Sequence, residues 1–198
     1  MLRRRGQGFS LIELLVAVSV LGILTALAMP SFSSWIRNAR TRTVADALQT
    51  GLRLAQSEAQ RRTHSVVFFL TNSKACDTAA TAIAGGSFWQ IRTVPNALLT
   101  GDAAEAVQCG VLTDVSRDVN LTSSTNTTAL CFGGDGRQTT LNNPATVGVN
   151  CTAAAAVYDV APTGTNADRR PLRVTVSLAG SVRMCDPGKS STAPDGCR

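Results

Sequence analysis

Apolar residues are concentrated at one end of the chain and periodic in the rest of it. Across residues 9–29 the only ionisable side chain is Glu13, and residues 14–29 are apolar apart from Ser19 and Thr25. About 20 such residues in helical form cover the hydrocarbon core of a bilayer. Beyond Pro30 the pattern changes. Val44, Leu48, Leu52, Ala55 and Ala59 recur at steps of three or four, while Arg37, Arg40, Arg42, Asp46, Glu58, Arg61 and Arg62 mark a polar face. That spacing is one apolar stripe on a helix, which packs against a core. Residues 9–62 are predicted to form one helix of roughly 80 Å, half in a membrane and half in a domain. Pro30 would kink it or loosen one hydrogen bond.

From His64 onward the signal turns to strands. They are expected at residues 64–70, 87–94, 110–115, 129–132, 154–160 and 172–178. The first is β-branched and aromatic. The second alternates, with Phe88, Gln90, Arg92 and Val94 opposing Trp89, Ile91 and Thr93. Loops rich in Thr, Asn, Gly and Pro separate these runs, and residues 122–128 read as a loop or an edge strand. The expected fold class is α+β, a long N-terminal helix packed on antiparallel β-sheets. Gly136 and Gly180 are expected to make hairpin turns with positive φ, and Arg137 to be solvated.

Charge adds little. The chain has 19 Lys and Arg against 13 Asp and Glu; without Arg3, Arg4 and Arg5 the net charge falls to +3. That is too mild to demand nucleic acid as a partner. The low aromatic content, 5%, with abundant Ala, Thr, Ser and Gly, suits a β-rich exported domain.

The six cysteines are Cys76, Cys109, Cys131, Cys151, Cys185 and Cys197. An even number fits disulfides in an oxidising compartment. None forms a Cys-x-x-Cys pair and His64 is remote from all of them in sequence, so a metal site is not expected. Six cysteines allow 15 pairings. The expected one is sequential: Cys76–Cys109, Cys131–Cys151 and Cys185–Cys197. The last would staple residues 186–196, which carry no apolar pattern.

Enzyme chemistry and cofactor binding are not expected. His64 is the single histidine, next to Thr63 and Ser65, and reads as a surface residue. Residues 133–136 lack the Gly-Lys-Ser/Thr ending of a phosphate loop. The carboxylates are scattered singly, so no acid–base pair stands out. The Asn-x-Ser/Thr triplets at Asn120, Asn126 and Asn150 carry little weight in a Thr-rich chain.

Glu13 is the anomaly of the apolar run. A carboxylate inside such a helix costs at least about 2.5–3.5 kcal/mol and should have a partner. The next cationic side chain, Arg37, lies about 36 Å further along a helix. A secretory signal is cut after its apolar stretch. Here the only small-residue junction with a sharp change in composition, Gly8 to Phe9, lies before it. A cut there frees an amine on Phe9, roughly one turn from Glu13, in the same chain or a neighbour packed beside it. The alternative is a Glu near the helix end that snorkels to the interface. Arg3, Arg4 and Arg5 place the N-terminus in the cytoplasm and everything beyond Pro30 on the far side.

Residues 8–14, Gly-Phe-Ser-Leu-Ile-Glu-Leu, behind a short basic leader and before an apolar helix, resemble the N-terminus of type IV pilins and pseudopilins. Gly22 and Pro30 stand where pilins carry helix-loosening residues. Residues 132–137, Phe-Gly-Gly-Asp-Gly-Arg, resemble the Phe-x-x-x-Gly-Arg element of the GspH/FimT branch. Residues 172–183 resemble its terminal strand pair, and residues 54–59 its helix. The resemblance implies cleavage between Gly8 and Phe9 by a prepilin peptidase and N-methylation of Phe9. It further implies that Glu13 neutralises the amine of an adjacent subunit during assembly. The chain then divides into a cleaved leader (1–8), a membrane and filament-core helix (9–30), an amphipathic helix (31–62) and a disulfide-stapled β-rich domain (63–198). Partners would be other major and minor pilins or pseudopilins, the peptidase and the bacterial inner membrane, with the C-terminal domain in the periplasm before incorporation into a pilus or pseudopilus.

Three roles fit that resemblance. The ending Met184-Cys185-Asp186-Pro187 is similar to that of FimU-type minor pilins, and six cysteines favour a pilus subunit over a type II secretion pseudopilin. The third role is DNA capture in natural transformation. DNA-binding FimT proteins carry a terminal Gly-Arg-x-Arg; here residues 180–183 are Gly-Ser-Val-Arg, so the first arginine is missing and the second, Arg183, is kept. One phosphate contact fewer should lower the salt slope by about 0.9. Arg169, Arg170 and Arg173 lie close enough in sequence to compensate, but no aromatics interleave with them for base stacking.

Overall fold

The computed structural model describes residues 10–96, 98–114, 116, 118–123, 125, 127–164 and 169–197, and divides after Ile36 into two compact units. Helix α1 (Leu11–Arg62) contributes to both. Ser10 starts it: its Oγ accepts from the Glu13 N–H at 3.2 Å and its carbonyl from Leu14 N–H at 3.2 Å, an N-cap arrangement. In the first unit the apolar side chains at Leu11, Ile12, Leu14, Leu15, Leu21, Leu24 and Leu27 are exposed. The two polar interruptions are neutralised locally. Ser19 Oγ donates to the Leu15 carbonyl at 2.8 Å and Thr25 Oγ1 to that of Leu21 at 3.0 Å, so neither hydroxyl needs an outside partner. The backbone of Pro30 belongs to α1; its side chain lies outside the described residues.

The helix ends on paired hydrogen bonds, His64 N–H to the Ala59 carbonyl and Thr63 N–H to that of Gln60, with Thr63 at φ 50. This is a Schellman cap. It reverses the chain into β1 (Val66–Thr71). The remaining strands are β2 (Phe88–Thr93), β3 (Ala106–Val111), β4 (Val119–Ser123), β5 (Ala129–Phe132), β6 (Ala156–Pro162), β7 (Leu172–Val176) and β8 (Val182–Cys185). They form two four-stranded antiparallel sheets, ordered β3-β2-β1-β5 and β4-β6-β7-β8.

The main core lies where α1 meets both sheets. Val44, Leu48, Leu52, Ala55 and Ala59 are at most 1% exposed. They pack with Phe68, Leu70, Trp89 and Ile91 of one sheet and Leu121, Tyr158, Val160, Val174 and Val176 of the other. The sequential i, i+4 stripe is thus the seam of the domain. In β6, burial alternates along the whole strand, because the outer face of its sheet meets solvent. The first sheet differs. Every residue of β1 and β2 is buried, since loops cover its outer face. There Val67, Phe69 and Cys131 form a second, smaller core with Ala80, Ala145, Val147 and Cys151.

Several elements depart from the sequence expectation. The alternation of β2 sets Gln90 and Arg92 on one face with Phe88 and Val94, opposite Trp89 and Ile91, yet both polar side chains are fully buried. Arg92 donates to the carbonyls of Ala145 (3.0 Å), Asp77 (3.0 Å) and Ala80 (2.9 Å) and stacks 5.0 Å from the Phe69 ring. Burial pushes its pKa down from the usual value, with Asp77 opposing. The strand expected at 110–115 is β3, earlier by several residues; Val115 lies outside the described residues. Pairing fixes the shift: Gly110 opposes Trp89, and a Cβ there would stand 2.4 Å from the indole. Of the loop or edge strand at 122–128, residues 122 and 123 belong to edge strand β4, while Ser124 and Asn126 lie outside the described residues. The strand expected at 154–160 starts and ends two residues later.

Candidate assembly site

The candidate assembly residues lie in the first unit. Glu13 is exposed in the first turn of α1. Gly22 leaves open space, with nothing within 4 Å of a Cβ added there. Gly8 and Phe9, the expected cleavage pair, lie outside the described residues. The helix is long and apolar enough to cross a membrane.

In the second unit the six cysteines are joined as Cys76–Cys109, Cys131–Cys151 and Cys185–Cys197. The first ties the loop after β1 to β3. The second sits in the smaller core. The third closes the terminal segment, where Asp186 and Gly196 pair as a parallel bridge. Lys189 bonds Asp195 within that segment and holds its carboxyl below the usual range.

The candidate arginines do not form one site. Arg173 is committed to Asp159 through two bonds, at 2.7 and 3.3 Å. Arg183 lies exposed on β8, opposite Thr175 of β7. Arg169 and Arg170 lie exposed in the connection to β7, where Arg170 N–H bonds Asn38 Oδ1 at 3.1 Å. Arg137 is exposed. His64 is half-buried rather than at the surface: Nε2 lies 2.6 Å from the Val94 carbonyl and 3.3 Å from Asp102 Oδ2. Its position at the cap of α1 brings it against the strand edge.

One joint was invisible as a site in the sequence. Gly136 (φ 77) and Gly180 (φ 84) do make turns, and the two turns touch. A Cβ on Gly180 would stand 2.1 Å from the Gly136 carbonyl oxygen, which accepts from Gln56 Nε2 at 2.9 Å. Gln138, just beyond the first turn, donates to the Ser177 carbonyl at 2.9 Å. The two sheets and α1 are locked together here. Gln56 and Gln60 face this joint, and only their i, i+4 spacing hinted at a shared role.

The profile of the prokaryotic N-terminal methylation motif matches residues 3–29, and that of the type II transport protein GspH matches residues 44–180. The chain belongs to the GspH family. Its members are structural pilin-like subunits rather than enzymes, and the fold is the α+β arrangement of one long helix on antiparallel sheets. The apolar helix and the methylation motif together point to a membrane-anchored pilin. A fimbrial protein of Moraxella nonliquefaciens is 39% identical over 49 residues, 23% of this chain and 32% of its own length. The type IV major alpha-pilin of Moraxella bovis is 38% identical over 45 residues, 23% of this chain and 28% of its own length. The chain thus spans about a third of the length of these curated relatives. Among solved structures, the minor pilin FimU of Pseudomonas aeruginosa aligns at TM-score 0.47 and 18% identity, over 79% of this chain and 94% of that one. The minor pseudopilin EpsH of Vibrio cholerae aligns at 0.48 and 14%, over 76% and 99%.

Proposed function

We propose that this GspH-family chain is a minor pilin, present in few copies, that primes or caps a type IV pilus. A prepilin peptidase cuts between Gly8 and Phe9 and the new Phe9 amine is methylated. Glu13 then neutralises the amine of a neighbouring subunit as the apolar helices bundle, which repays the cost of its burial. Gly22 and Pro30 loosen the helix for that packing. Before assembly the chain spans the inner membrane once, with Arg3, Arg4 and Arg5 in the cytoplasm and the domain in the periplasm. The observation that carries this reading is the joint presence of the methylation motif at 3–29 and the GspH match at 44–180 on one chain. Three disulfides suit an oxidising compartment and support the pilus role.

A second reading is a type II secretion pseudopilin, favoured by the description of the matched family. It uses the same helix and the same carboxylate in a different machine. The test compares wild type with Glu13→Val in sheared pili, alongside the N-terminal mass of the mature chain. The expected chain begins at methylated Phe9 and enters pili at low copy. The variant is processed and folded but fails to enter. A mature chain starting at Met1, or Glu13→Val at wild-type levels in pili, overturns the reading. Recovery with a secretion pseudopilus instead moves it to the alternative.

A further inference from the structure

Five arginines crowd the end of the globular unit where the chain enters it. Arg37, Arg40 and Arg42 occupy the first turns of α1 in that unit, and Arg169 and Arg170 come from the connection between β6 and β7. The bond from Arg170 N–H to Asn38 Oδ1, 3.1 Å, holds the two groups together across 132 residues. Two carboxylates offset them: Asp118 meets Arg40 at 2.6 Å and Asp46 lies 3.9 Å from Arg42. Among the described residues, Arg37, Arg169 and Arg170 have no carboxylate within 4 Å. Arg169 and Arg170 are exposed and Arg37 is half-buried.

Chain connectivity keeps Arg37 within reach of the bilayer: it follows Met29, the last residue of the apolar run, by eight positions, a chain length of at most about 28 Å. In the proposed orientation the arginines stand on the translocated flank of a membrane segment, where Lys and Arg are depleted, so their accumulation needs a reason. No aromatic residue occurs within 37–46 or 163–171, so these stretches interleave no rings with their arginines for stacking single-stranded nucleic acid. A guanidinium fork matches phosphate oxygens bidentately.

We infer that Arg37, Arg169 and Arg170, with Arg40 and Arg42 at the rim, bind the phosphates of anionic phospholipids at the membrane surface from which the helix emerges. This rests on the membrane-anchored reading above. Each arginine near an anionic surface gains a favourable interaction that falls off within a Debye length. The contact would hold the domain against the bilayer before assembly and be given up on entry into the filament.

The test uses the full chain in nanodiscs of phosphatidylcholine alone or mixed with phosphatidylglycerol, with hydrogen exchange followed in peptides spanning 163–173. Phosphatidylglycerol should slow exchange there by at least about threefold at low salt. The effect should vanish at high salt and in Arg169→Ser/Arg170→Ser, which is exposed and leaves exchange elsewhere in the domain unchanged. Equal exchange in both lipids at low salt overturns the inference while leaving membrane anchoring intact. Failure of the chain to remain with either disc overturns anchoring and the inference together. Protection by a DNA duplex without protection by phosphatidylglycerol assigns the arginines to nucleic acid and overturns it as well.

Discussion

Replacing Gly180 by alanine should destabilise the domain far more than the same change at Gly101, although both glycines have φ 84. The left-handed backbone costs an alanine about 1 kcal/mol at either position. At Gly101 nothing lies within 4 Å of the added methyl, so that is the whole effect. At Gly180 the methyl would stand 2.1 Å from the Gly136 carbonyl oxygen and 2.5 Å from Gln56 Nε2. The turn must retreat by more than about 1 Å to reach ordinary contact. Overpacking of this kind costs about 1–3 kcal/mol, and the retreat strains the bond from Gln56, worth about 1 kcal/mol net. The difference between the variants should therefore be about 2–4 kcal/mol. Urea unfolding in detergent, followed by fluorescence of buried Trp89 in a Trp35→Phe background, measures it. If Gly180→Ala and Gly101→Ala agree within about 0.5 kcal/mol, the two turns do not touch and the joint is not a structural element.

Arg92→Met should cost about 2–4 kcal/mol, because the buried carbonyls of Ala80 and Ala145 lose their donor inside the smaller core while that of Asp77 keeps Gln90; Arg92→Lys should recover part of it, and limited proteolysis between β1 and β2 reports the loosened loop. Removing Cys185–Cys197 by a double serine substitution should cost about 3 kcal/mol by loop entropy and open the terminal segment to proteases, read by mass spectrometry of the fragments. Glu58 is held below the usual carboxylate range by hydrogen bonds from Arg61 and then Arg62. Its contribution is present above the unfolded pKa and lost as pH falls through the folded one. The stability difference between wild type and Glu58→Gln should therefore shrink below about pH 4.5, from a starting value under about 1 kcal/mol because the pair is partly solvated. Acid titration of both by circular dichroism checks the sign.

The long helix and its two characters were legible because their signals are local. A long, almost continuous apolar run and an i, i+4 stripe report the environment of each residue directly, and the stripe at Val44, Leu48, Leu52, Ala55 and Ala59 is the observed seam. Strands with strong β-branched or aromatic runs, such as β1, β5 and β7, were equally readable. Strand β4 was not, because it buries only Val119 and Leu121. Nor was the depth of Arg92: its alternation pattern is that of a half-exposed strand, and only the loops folded over the sheet bury it.

By itself the chain's order of residues determined an apolar helix with one carboxylate, a processing motif, an amphipathic continuation and a β-rich domain with an even set of cysteines. Those are properties of neighbours along the backbone. The tertiary structure decided which loops cover the first sheet, that Arg92 is buried among carbonyls, that Arg173 belongs to Asp159, and that Gly136 and Gly180 meet at Gln56. Each of these joins residues far apart in sequence, and its energy exists only once packing has removed water and brought the groups within contact distance.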